Sequence, residues 1–222
     1  MDNYYDITSH ISNSTLTSFD MLMNGRSFGD NMQPIFDFGN LIDGMLTEKE
    51  KLNFITHEMK SENGRVVQFS ESDWQKACNM KKDGLKNEML KMMVEHFDTQ
   101  SIIMIDRFPI SGMGYDIVLP VRCKFDFLKQ DWKMGGDLKS TACTTIKAFI
   151  MSLFHLNYDR QAAWYMDLAN LDKFVFVGIS KIPNKKGIHE VFTHAIMRGD
   201  EMYESGKQKY QYLATNYYFL IH

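Results

Sequence analysis

Asp137 and Lys139 stand two residues apart in Gly135-Gly136-Asp137-Leu138-Lys139-Ser140-Thr141. In an extended backbone, residues i and i+2 point to the same face, so the carboxylate and the ammonium would project together. An acid so placed can hold a metal ion while the lysine handles a water or a phosphate. D-x-K is a common tripeptide and on its own says little. Its meaning depends on what the rest of the chain brings to it.

The strand before it supplies a second acid. Val121-Arg122-Cys123-Lys124-Phe125-Asp126-Phe127-Leu128 alternates, with Arg122, Lys124 and Asp126 on one face and Val121, Cys123, Phe125 and Phe127 on the other. The ten residues from Phe127 to Gly136 suffice for a hairpin that sets Asp126 beside Asp137. Mg²⁺ prefers carboxylate, carbonyl and water oxygens. Asp126, Asp137 and the Leu138 carbonyl are therefore a candidate ligand set, and such an ion acidifies its water and neutralises phosphodiester charge. Lys139 would orient or deprotonate the attacking water and steady the developing negative charge.

The elements that position these residues follow from pattern. Ser12 or Ser14 caps a short helix that Asn24-Gly25 closes, and Phe38, Leu41, Ile42, Met45 and Leu46 recur at helical spacing in a second. Asp43 lies in that second helix and by itself reads as an exposed aspartate. Residues 47–70 read as irregular, with a turn at Glu62-Asn63-Gly64-Arg65 and a short strand at Val66–Phe69. One long amphipathic helix is expected from Ser72 to Phe97, and Lys76, Lys81, Lys82, Lys86 and Lys91 read as its solvated face. Three short strands follow, Ser101–Ile105, Tyr115–Leu119 and Val121–Leu128, as an antiparallel meander. Thr141–Met151 and Leu156–Leu168 read as helices, with Gln161 and Tyr165 at i and i+4 on one face of the second. A hairpin of Lys173–Ser180 and Ile188–Ala195 turns through Pro183-Asn184-Lys185-Lys186-Gly187, and a last helix spans about Arg198 to Phe219. The expected fold class is α/β, a central mixed β-sheet flanked by helices, in one domain over 1–222.

Composition narrows the function classes. The chain has 222 residues, 44% hydrophobic and 24% charged, as in an ordinary globular protein. Cys78, Cys123 and Cys143 are scattered and odd in number, which argues against a disulfide framework and for a reducing, cytoplasmic compartment. No apolar run approaches the roughly 18 residues of a membrane span, and no secretory leader pattern opens the chain. A net charge of −3 makes the whole surface a poor polyanion trap, so nucleic-acid binding would need a local basic patch or metal ions.

Taken together, the segments resemble the PD-(D/E)xK nuclease superfamily, in its RecB-like branch, and most closely the RecE-type exodeoxyribonuclease VIII proteins of phages and prophages. Ile11-Ser12-Asn13-Ser14-Thr15-Leu16 resembles the family's opening serine-rich segment, and Phe38–Leu46 its F-G-x-x-x-H-x-x-L helix. Arg122–Asp126 resembles the strand bearing the first metal aspartate, Gly136–Thr141 the D-x-K-T/S-T strand, and Gln161-Ala162-Ala163-Trp164-Tyr165 the Q-x-x-x-Y helix. The last two are the most specific, and their separation also fits.

The resemblance implies a restriction-endonuclease-like core and a Mg²⁺- or Mn²⁺-dependent exonuclease. Its substrate would be double-stranded DNA ends, resected for recombination or for a single-strand annealing protein, with a homo-oligomeric ring around the DNA and no membrane. Asp126 and Asp137 would be metal ligands, Leu138 would offer its carbonyl, Lys139 would be the catalytic lysine, and Gln161 and Tyr165 would order the site and the DNA end. Two residues depart from the pattern. Asp43 stands where the family carries a histidine, and keeps an oxygen ligand suited to a hard ion. Gln100 stands where an acid often precedes the strand. The competing readings are an endonuclease or junction resolvase of the same fold, and a catalytically weak DNA-binding recombination module.

Overall fold

Phe174, Val175, Phe176 and Val177 are all buried although they alternate in direction, so the strand that carries them must be covered on both faces. That requirement organises the molecule. In the computed structural model, residue 4 and residues 8–27, 29, 32–61 and 64–221 are described. Of the expected turn at 62–65, Glu62 and Asn63 lie outside them. In chain order the elements are α1 (Asn13–Met23), α2 (Gln33–Thr47), β1 (Leu52–Asn53), β2 (Glu58–Lys60), β3 (Val66–Gln68), α3 (Glu71–Gly84), α4 (Glu88–His96), β4 (Asp98–Gly112) and β5 (Tyr115–Lys129). They continue with β6 (Met134–Thr141), α5 (Ile146–His155), α6 (Tyr158–Ala169), β7 (Lys173–Pro183), β8 (His189–Met197) and α7 (Glu201–Ile221).

The expected α/β class holds. A five-stranded mixed sheet runs in the order β4-β5-β6-β7-β8, antiparallel throughout except for the parallel pair β6 and β7. Parallel neighbours need a crossover, which α5 and α6 provide. Phe174 and Phe176 face a core shared with α1, α5, α6 and α7. Val175, Val177 and Ile179 face the other core, built with α2, α3, α4 and the small β1-β2-β3 sheet. Among the described residues no helix is long and apolar enough to cross a membrane.

Several boundaries differ from expectation, each for a local reason. Ser12 is the cap of α1, in a reciprocal capping box with Thr15. The expected long helix is two, because the Asn87 side chain accepts the Leu90 N–H at 3.1 Å and starts a new helix there. The Val66–Gln68 strand exists, but the stretch before it, expected to be irregular, forms two more strands, β2 paired to it and β1 paired to β2. Tyr115–Leu119 and Val121–Leu128 are one strand running through Pro120. The ladder skips register between Ile105 and Phe108, opposite that proline, so its missing N–H breaks no regular pairing. The helix expected from Thr141 starts at Ile146, capped by Thr145, and β6 extends to Thr141. Phe127 belongs to the α2–α4 core while Phe125 belongs to the other, so the two residues flanking Asp126 turn to opposite faces.

Candidate active site

Strands β5 and β6 pair at Lys129–Met134, Leu128–Gly135 and Phe127–Gly136, and there the ladder ends. The next step in register would set Asp126 opposite Asp137. Instead the Asp126 carboxylate Oδ2 accepts the backbone N–H of Leu138 at 2.9 Å. From Asp137 onward β6 keeps only its parallel partner β7, through Thr141–Ser180. The unpaired side opens into a cleft of about 700 Å³ whose walls include Asp43, Asp126, Asp137, Leu138, Lys139, Gln161 and Tyr165. Every sequence-predicted site residue therefore lines one cavity.

The two glycines before Asp137 make the arrangement sterically possible. A Cβ on Gly135 would stand 2.8 Å from both Phe125 and Leu171. One on Gly136 would stand 2.0 Å from Met93 Cε and 2.9 Å from the Val175 carbonyl oxygen. Core side chains thus press on β6 from both faces just ahead of the acid.

Asp137 is only 5% exposed. Gln161, one helix away on α6, donates from Nε2 to its Oδ1 at 2.5 Å. Lys139 Nζ lies 2.5 Å from Oδ2 in an ion pair, so each oxygen of the carboxylate has a partner. The Lys139 ammonium also sits 4.4 Å from the centre of the Tyr158 ring. Tyr165, a turn beyond Gln161, packs edge-on against Phe125 at 4.9 Å and against Phe174 at 5.8 Å. Asp43 is half-buried on α2, in contrast to the exposed helix aspartate that its sequence context suggests.

The electrostatics follow from crowding acids in a poorly solvated cleft. Burial first, and Asp137 second, raise the Asp126 carboxyl to about 7. Burial, then Asp126 and Asp137, push Asp43 well above the usual carboxylate range. Burial alone would lower the Lys139 ammonium, but Asp137 and then Tyr158 and Asp126 outweigh it and hold it above its ordinary value. Lys139 at rest is a cation and a proton donor. Burial also raises the Tyr165 phenol well above its usual value, keeping it neutral.

Among the described residues no three His, Cys, Asp or Glu side chains come together as a metal cage. The donor set is narrower: two mutually repelling carboxylates, Asp126 and Asp137, the second held by Gln161 and Lys139. That set fits a hard divalent cation held by one or two carboxylates that keeps several waters. It does not fit a closed all-protein site; Asp43, on α2, lines the same cleft, and Asp126 and Asp137 disfavour its ionised form.

Other residues around the cleft take positions that their local sequence does not fix. Gln100 occupies the β4 position across from Asp126 between the Thr99–Phe127 and Ser101–Phe125 pairs, with a left-handed φ of 54°. Its Nε2 donates to Thr47 Oγ1 at 3.0 Å, and that hydroxyl donates to the Asp43 carbonyl at 2.8 Å. Arg122, expected on a polar strand face, is 7% exposed beneath the Tyr4 ring at 4.4 Å. Ser12, Asn13 and Ser14 at the start of α1 also reach the cleft wall.

No family model matches the chain, and no curated protein matches it. Among solved structures, it is similar to a phage-related exonuclease from Haemophilus somnus 129PT at 14% identity and a TM-score of 0.42, with 66% of this chain and 70% of that one covered. It is also similar to the protein SSO0001 at 12% identity and a TM-score of 0.39, with 64% of this chain covered; the match spans 60% of SSO0001. Likenesses this distant carry no weight for the chemistry, which rests on the cleft.

Proposed function

We propose that this chain is a divalent-metal-dependent deoxyribonuclease of the PD-(D/E)xK type that resects double-stranded DNA ends. The observation that supports it best is the parting of β5 and β6 at Asp126 and Asp137, with Lys139 and Gln161 on the two oxygens of Asp137. Asp126 and Asp137, with the Leu138 carbonyl, would hold Mg²⁺ or Mn²⁺, which would neutralise phosphate charge and acidify a bound water. Gln161 fixes the rotation of the Asp137 carboxylate by its hydrogen bond to Oδ1. Lys139, held protonated by its acidic neighbours, donates to the attacking water or to the developing charge on the phosphate. Tyr165, neutral and wedged between Phe125 and Phe174, presents a phenol to the cleft and orders the DNA end. Water would attack the phosphorus in line as the P–O3′ bond breaks, its proton passing to solvent and the departing 3′-oxygen taking one from Lys139 or solvent, which leaves a 5′-phosphate and a 3′-hydroxyl. An annealing protein for the exposed strand and a ring of copies around the duplex complete the reading.

Incubation of linear duplex DNA with Mg²⁺ tests it. Release of 5′-phosphorylated nucleotides that stops in Asp137→Ala and in Lys139→Ala is expected, and activity surviving either substitution would sink the proposal. Closed circular duplex should resist; its cleavage would turn the reading to an endonuclease or junction resolvase. A binding module without turnover is favoured by one observation, the Lys139 ion pair that engages Asp137 where three acids do not form a cage. That reading predicts duplex binding with no metal-dependent cleavage.

A further inference from the structure

The lysines between Lys76 and Lys91, on α3, on α4 and in the link between them, differ in their partners. Lys86 pairs with Asp83 and Lys91 with Glu95, as a solvated helix face should. Lys76 and Lys81 do not. Lys76 lines a groove of about 430 Å³ together with Lys181 of β7. Lys81 faces Lys49, and burial first, then Lys49, lowers its ammonium. Burial and then Lys76 do the same to Lys181. None of these four lysines forms an ion pair with an acid among the described residues. Of the two acids of the groove, Asp37 is paired with the Arg65 guanidinium and takes the Gln33 amide, while Asp73, in the first turn of α3, takes the Ser70 hydroxyl and keeps its charge without an ion pair to either groove lysine.

The opposite wall of this groove is apolar. Pro34, Ile35 and Phe38 of α2 form it, with Ile35 49% exposed. Lys76 Nζ rests 5.2 Å from the centre of the Phe38 ring. Helix α2 is the partition between this groove and the carboxylate cleft, since Phe36, Asn40 and Asp43 of the same helix line the cleft.

We propose that the groove on the outer side of α2 binds single-stranded nucleic acid, the strand parted from the one that enters the carboxylate cleft. Two groove lysines, Lys76 and Lys181, neither in an ion pair, beside an apolar, aromatic wall are what a strand requires, with phosphates against the ammonium groups and a base against Phe38. A phosphate draws Lys76 off the Phe38 ring and uncovers it. The choice of polyanion rests on the nuclease reading, but the site does not depend on turnover.

Titration of fluorescent oligothymidylate in chelator, without divalent metal, tests the site whether or not the chain cleaves DNA. For Lys76→Ala/Lys181→Ala the slope of log affinity against log salt should shrink by about 1.4, near 0.7 for each lost phosphate contact. Lys76→Arg/Lys181→Arg should restore it, which separates lost charge from lost fold. Phe38→Ala should weaken binding about 5- to 100-fold with the slope unchanged, the loss of one stacked base. An unchanged slope in the double alanine variant overturns the proposal. So does equal competition by a polyglutamate peptide with no effect of Phe38→Ala, which would assign the groove to an acidic protein segment. Failure of the nuclease reading is seen separately, as intact duplex after Mg²⁺.

Discussion

Asp126 and Leu138 are joined by a side chain acting in place of a backbone: Oδ2 of the carboxylate takes the N–H that a continued β5–β6 ladder would have paired. The bond does two things. It terminates the ladder without orphaning a buried donor, and it holds the acid at the mouth of the gap it creates.

Asp126→Asn keeps an oxygen for the Leu138 N–H and removes a buried charge beside Asp137. In metal-free buffer at pH 8 this variant should melt above wild type. Asp126→Ala leaves the N–H without its partner, a loss of about 1–3 kcal/mol, and should melt below Asp126→Asn. Neither should gain stability from Mn²⁺. A lower melting temperature for Asp126→Asn than for wild type would show that the carboxylate is not under electrostatic strain.

The same strain fixes a pH dependence. The Asp126 carboxyl, raised mainly by burial to about 7 from 3.8, holds a proton in the folded chain that the unfolded chain releases between those values. Its contribution to metal-free stability is therefore most favourable below pH 3.8 and declines as pH rises through 7. Asp43 is shifted the same way, again by burial first. A divalent cation competes with those protons, so the rise in melting temperature on adding Mn²⁺ should grow from pH 5 to pH 8. Calorimetric scans across that range check it, and a gain independent of pH would contradict it.

Gln100 offers a test of how α2 is held. Its amide reaches Thr47 at 3.0 Å, and its backbone sits at φ 54°, a conformation costing on the order of 1 kcal/mol or more for a residue with a Cβ. Within a strand, glycine is ordinarily worse than alanine by about 0.5–1 kcal/mol. Here the order should invert, with Gln100→Gly melting above Gln100→Ala. Because Thr47 bridges Gln100 to the Asp43 carbonyl, Thr47→Val and Gln100→Ala should be strongly non-additive in denaturant titrations.

The parts of this site that repeat along the chain were legible in sequence. Period two placed Asp137 with Lys139, a helical turn placed Gln161 with Tyr165, and all four line one cleft. Features set by a single non-local contact were not. Nothing in Asp83-Gly84-Leu85-Lys86-Asn87 outweighs the apolar periodicity around it, yet one Asn87 cap splits the helix. Pro120 reads as a strand end until the register skip opposite it is known. Asp43 looks like any helix aspartate, since its half-burial comes from packing α2 against α3 and the central strand β6, far away in sequence. Lys76, Lys81, Lys86 and Lys91 read alike, and only Asp83, Glu95, Lys49 and Lys181 separate the paired from the unpaired.

Gly136 connects packing to chemistry most directly. A methyl group there meets two obstacles of different kinds. Met93 Cε, 2.0 Å away, ends a flexible side chain, but Met93 is fully buried and has little room to retreat. The Val175 carbonyl oxygen, 2.9 Å away, belongs to the backbone of β7 and moves only if the parallel β6–β7 pair shifts. Gly136→Ala should therefore destabilise by about 1–3 kcal/mol, as overpacking of a filled core does. Met93→Ala alone should cost about 2–5 kcal/mol through the cavity it leaves. Combined, the two should cost less than their sum, since the new methyl group takes part of the vacated space, but the double variant should not recover wild-type stability while the Val175 oxygen remains. The residual displacement falls on the residue before Asp137. Mn²⁺ affinity, read by calorimetry on the folded protein well below its melting temperature, should drop in Gly136→Ala and stay low in the double variant. Wild-type Mn²⁺ affinity in a destabilised Gly136→Ala would separate the glycine's packing role from the position of the acid.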